Sequence, residues 1–164
     1  MRFIPFLLYL LLIACHQTLL VRVLSVGPAE IYLAALLVIL VGLNKDFLTA
    51  LWFGWAAGLV LDAPRPDHLG TQMIILSLLA VATVRARELL NLESIKSLVL
   101  LLGTGLLIFA IPHTLIYATS GTTKFWRLLL SSVLPSIVYT GFIGWLFFMI
   151  QTGRISYQKF KALF

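Results

Sequence analysis

Apolar runs broken by short polar punctuation set the layout of this chain. The first run extends over about 3–24 and carries His16, Gln17 and Thr18 past its middle. Gly27-Pro28 breaks it. Further runs cover about 29–43, 47–61, 70–84, 98–117 and 128–150. Asn44-Lys45-Asp46 separates the second from the third, and Asp46 is a plausible cap for the helix that follows. The polar, proline-stiffened segment from Asp62 to His68 separates the third from the fourth. The longest polar stretch, Arg85 to Lys96, precedes the fifth run. A polar loop over 119–124 precedes the sixth, and a short basic tail follows it.

A membrane-spanning helix needs about 20 apolar residues. Runs one, five and six meet that length. Runs two, three and four hold 15 residues each. At about 1.5 Å per residue each covers only ~22 Å of a hydrocarbon layer about 30 Å thick. They either extend through the polar residues that flank them or sit shielded by longer neighbours in a locally thinned bilayer. The expectation is a single all-α integral membrane domain of six transmembrane helices, with polar residues held close to lipid depth at its ends.

Composition agrees. Hydrophobic residues make up 61% of the chain and charged residues 11%, against roughly 25% charged in a soluble domain; mean hydropathy is +1.05. The balance is basic, with 12 Lys and Arg against 6 Asp and Glu. These cations sit singly between apolar runs, so they describe topology rather than a nucleic-acid surface. With the N-terminus in the cytoplasm, the inner segments hold eight of the twelve and the outer segments four. That count predicts both termini inside and the Asp62–His68 loop outside. Cys15 is the single cysteine, which leaves no disulfide framework or Cys-based metal site. Leu12-Ile13-Ala14-Cys15 looks like a lipoprotein cleavage site, but the apolar run continues past it and suits a retained helix.

One run carries a finer pattern. Ala50, Gly54, Gly58 and Asp62 recur every four residues among large apolar side chains such as Trp52, Phe53 and Trp55. On a helix they share one face. A flat Gly/Ala groove lets a second helix approach closely in lipid. That second helix belongs either to this chain or to a partner. Asp62 at the end of the stripe is either a solvated loop acid or a buried acid bonded to a neighbouring helix end or to Arg65. The helix dipole disfavours an acid at a helix C-terminus, so a compensating donor is expected. His68 is a candidate cap for the fourth helix. His16, Gln17 and His113 are polar candidates inside apolar runs, suited to interhelical hydrogen bonds. A metal site from Asp62, Asp67 and His68 lacks obvious convergence. No GxSxG, HExxH or phosphate-binding glycine loop is present, so the reading is of a non-enzyme without a cofactor.

Gly54, Gly58, Leu59 and Asp62, followed by Leu69-Gly70, give the chain a resemblance to the bacterial rod shape-determining protein MreD family. Gln17-Thr18 and Pro28 are similar to the same pattern, and the likeness is densest over residues 15–75. An acid that family members often carry directly after this proline is displaced here to Glu30, and the loop before Leu69-Gly70 holds two prolines. The resemblance implies a fold like that of the membrane-embedded substrate-binding subunits of energy-coupling-factor transporters. It also implies a non-enzymatic inner-membrane scaffold of cell-wall elongation. The implied partners are a bitopic MreC-type protein and, in the wider complex, actin-like MreB, a RodA-type glycosyltransferase and a penicillin-binding transpeptidase. A vitamin-like transporter binding subunit is the alternative. It predicts an outward pocket lined by residues such as Asp62, His113 and Trp126.

Overall fold

The structure is a computed structural model that describes residues 4–20, 29–64, 69–89, 95–117 and 122–161. Among these residues it is all-helical, with six helical segments and no β-sheet. α1 is Ile4–Cys15, continued by a π-helical turn, His16–Leu20. α2 is Leu33–Asn44, α3 Phe47–Asp62, α4 Thr71–Leu89 and α5 Ile95–Tyr117. α6 runs Thr122–Leu128, passes through a second π-helical stretch, Leu129–Val133, and resumes as Leu134–Lys161. Two stretches, Ser97–Ile116 and Lys124–Phe148, are long and apolar enough to cross a membrane, and Phe6–Leu19, Leu33–Asn44 and Phe47–Asp62 are shorter apolar helices.

α2 lies at the centre. Ala34 to Ile39 are all buried, as are Val41 and Gly42, because α3, α4 and α5 pack around this helix. Its all-round hydrophobicity is what a fully enclosed helix requires. α1 packs on α3, where Phe6 and Tyr9 meet the buried ring of Phe53 edge-on at centroid distances of 5.3 and 6.1 Å. α6 packs on α5. The outer surface is apolar as well: Leu48, Trp52, Leu78, Leu100, Leu115 and Val138 are among many large hydrophobic side chains left exposed.

The helices differ from the apolar runs in instructive ways. α4 continues past residue 84 through Arg85 and Arg87 to Leu89. The continuation is anchored, since the Arg87 guanidinium donates to the carbonyls of Leu43 (3.1 Å) and Lys45 (3.0 Å). These carbonyls belong to the end of α2, where a helix leaves its last acceptors unsatisfied and a cation is favoured. The second run begins at 29, yet helix starts only at Leu33. The backbone N–H groups of Glu30 and Tyr32 instead donate to Ser136 Oγ (2.8 Å) and Thr140 Oγ1 (3.0 Å) of α6. N–H groups two residues apart on an extended segment meet hydroxyls one helical turn apart. Asp46 occupies the position before α3, but its side chain makes no capping bond; only its carbonyl accepts, from Ala50 N–H at 2.9 Å.

Candidate functional site

The glycine-spaced stripe on α3 is filled by α4 of the same chain. Ala50, Gly54 and Gly58 are buried. A Cβ on Gly54 would stand 2.7 Å from the carbonyl oxygen of Leu76 and 3.3 Å from Ala80 Cβ. A Cβ on Gly58 would overlap the backbone nitrogen and Cα of Met73. The two backbones therefore touch where the side chains are missing, which is the close approach that small-residue spacing permits. The question left open by the spacing, own helix or partner's helix, is answered for this face.

Asp62 lies at the same junction and is 1% exposed. It is not a solvated loop acid. Its Oδ2 accepts the Gly70 N–H at 2.8 Å, and the Gln72 N–H lies 3.2 and 3.1 Å from its two oxygens. Gly70 itself precedes α4, accepting the Ile74 N–H on its carbonyl at 3.1 Å, with φ of +99°. That left-handed backbone suits glycine, and glycine brings no capping side chain of its own. The acid comes instead from the preceding helix. Its cost at the C-terminus of α3 is offset by the positive N-terminus of α4, packed alongside. Leu69 beside it is exposed. Arg65, Asp67 and His68, and with them the expectations of a His68 cap and of a three-residue metal site, lie outside the described residues.

The polar candidates converge at this end of the bundle. Gln17 Nε2 donates to the carbonyl of Leu61 at 3.1 Å, tying the turn after α1 to the end of α3. His16 is buried at 8% exposure. The His113 ring stacks on Phe109 of α5 at 5.5 Å and 28°, and Tyr32 meets both rings. These side chains surround a cavity of about 310 Å³. Gln17, Ile13, Leu61 and Ala34 also line it. Asp62 and Trp126, expected in such a pocket, are absent from its wall: the first is consumed by capping, and the second is exposed on the outer surface of α6.

Gln72 and Glu30 also line the cavity, and the sequence reading assigned neither to it. Gln72 is 3% exposed. Its backbone N–H is spent on Asp62, while its side-chain Oε1 and the Nε2 of His16 are buried with no hydrogen-bond partner among the described residues. Buried polar groups are normally satisfied, and an unsatisfied one costs about 1–3 kcal/mol. Two orphaned atoms on residues of one cavity wall are therefore a signal in themselves. In the sequence, a glutamine at the third position of an apolar run gives only a weak hint of it.

The class that these features define is a helical bundle with an apolar exterior, a self-capped helical hairpin and a small polar cavity at one end. Comparison with family models, with curated proteins and with solved structures finds no match to this chain.

Proposed function

We propose that the chain is an inner-membrane scaffold of the MreD type, multi-pass with six spans and both termini in the cytoplasm, acting in cell-wall elongation. One observation carries the reading. Gly54, Gly58, Asp62 and Gly70, four of the residues that carry the family likeness, form a single device that seats α3 on α4. A motif with one structural purpose is a stronger ground for likeness than scattered glycines. An apolar exterior fits a protein whose solvent and whose partners are both met through lipid.

Because the stripe is occupied from within, the transmembrane helix of an MreC-type partner docks elsewhere. Leu48, Trp52, Trp55 and Leu59 form an exposed row on α3 at alternating spacings of four and three. A row of that kind can receive a second helix, and its two tryptophans supply large contact area. The partner's own assembly with MreB, a RodA-type glycosyltransferase and a penicillin-binding transpeptidase would then place this protein in the rod complex.

The test is affinity purification in mild detergent with mass spectrometry. Recovery of a companion with one transmembrane helix and a periplasmic domain, lost in a Trp52→Ala/Trp55→Ala variant of unchanged thermal stability, is the expected result. The cavity favours a second reading, a small-molecule binding subunit of a transporter. Recovery of an ATPase module in place of the bitopic companion would decide for it.

A further inference from the structure

We propose that the cavity at the polar end of the bundle is a binding site for a small organic ammonium group, one that carries N–H donors next to an apolar portion. The inference rests on the cavity alone and holds under either reading of function.

The acceptors come first. Gln72 Oε1 and His16 Nε2 are buried and lack partners among the described residues, and both residues are more than nine-tenths buried. A carbonyl oxygen can only accept, so Gln72 asks for a donor. The imidazole nitrogen accepts in one of its two neutral forms. Glu30, exposed at the rim, adds a carboxyl group.

The charge selects the ligand. The chain has 12 Lys and Arg, yet none is among the described residues lining this cavity. Glu30 is the single acidic side chain among them. Among the described lining residues, a carboxylate or phosphate ligand would find no Lys or Arg to pair with. An ammonium finds an acid, two orphaned acceptors and the aromatic rings of Tyr32, Phe109 and His113. Aromatic faces attract cations and shelter apolar groups together. A volume of about 310 Å³ is at the small end of ligand sites, which start near 300 Å³. It fits one headgroup or a one-ring amine.

Two sources offer that chemistry: the ethanolamine headgroup of a phospholipid, or a soluble amine. The full chain is purified in detergent and its thermal unfolding followed with 2-phenylethylamine, with phenylacetate as the anion of the same size, and in nanodiscs of phosphatidylethanolamine against phosphatidylcholine. A saturable rise in Tm of about 5 °C is expected in one of the two ammonium arms, and none with phenylacetate. A response to phenylethylamine identifies a soluble ligand. A response confined to phosphatidylethanolamine, with that lipid retained in native mass spectrometry, identifies a headgroup. Gln72→Met and Glu30→Gln leave the Asp62 cap in place and should each weaken the response about tenfold or more. The proposal is overturned if neither ammonium arm responds, if phenylacetate stabilises equally, or if both variants keep the full response. A Gln72→Met chain that is simply more stable, with no ligand dependence in the parent, also overturns it, because water then fills the cavity.

Discussion

Asp62 has its meaning through two backbone amides. Without its oxygens, the N–H groups of Gly70 and Gln72 at the start of α4 lose their acceptor. Asp62→Ala should therefore cost about 0.5–2 kcal/mol, the range for losing an N-cap. Amide hydrogen exchange would localise the damage: Gly70 and Gln72 should exchange faster, while amides at the α2 end of Arg87 stay protected. Asp62→Asn keeps one acceptor oxygen and should fall between. Spacing alone put Asp62 on the stripe's face, and dipole reasoning asked for a donor nearby. Which donor could not be read, because Gly70 and Gln72 are ordinary residues until the hairpin folds back and brings them to the acid.

At the scale of the element, the α3–α4 hairpin is the most tightly specified contact. Gly58→Ala places a methyl into the backbone of Met73, which cannot move aside like a side chain. Overpacking typically costs about 1–3 kcal/mol. Gly58→Ala should lie at or above the top of that range, read as a drop in Tm, with Gly54→Ala close behind. Arg87 closes the opposite end by joining α4 to the last carbonyls of α2. Arg87→Met keeps the aliphatic stem and removes the donors. It should loosen the α2–α3 turn, seen as faster proteolysis near Lys45, with little effect at Asp62. The extent of α4 was not legible from hydropathy, which ends with the apolar run. The polar turn beyond it stays helical because one arginine has acceptors to reach. The early part of the second run failed as helix for a related reason: Ser136 and Thr140, over a hundred residues later, supply acceptors that compete with helical carbonyls.

For the whole molecule, the apolar exterior and the alternation of helix ends give a topology that can be measured. In a Cys15→Ser background, Asn44→Cys and Ala63→Cys lie at opposite ends of α3. A membrane-impermeant maleimide should label Ala63→Cys in intact cells and Asn44→Cys only after the inner membrane is opened. The reverse pattern would invert the proposed orientation. In the proposed orientation the polar cavity faces outward, at the same end as Asp62, and Arg87 and the α2–α3 turn face the cytoplasm. An acid serves one end of the hairpin, at the N-terminus of α4, and a base the other, at the C-terminus of α2, each beside a helix terminus that its charge favours.

The sequence by itself determined that the chain is helical, apolar and built around a small-residue face ending in an acid. Those properties are local: runs, spacings and missing side chains repeat along one strand of text, and helical periodicity converts them to faces. It also named His16, Gln17 and His113 as polar residues needing partners. Only the tertiary structure decided that α4 fills the stripe and that Asp62 caps α4. It alone shows that Gln72, Glu30, Tyr32 and Phe109 join the histidines around one cavity. Each of these depends on which helices become neighbours, and neighbours are fixed by packing between segments far apart in the chain.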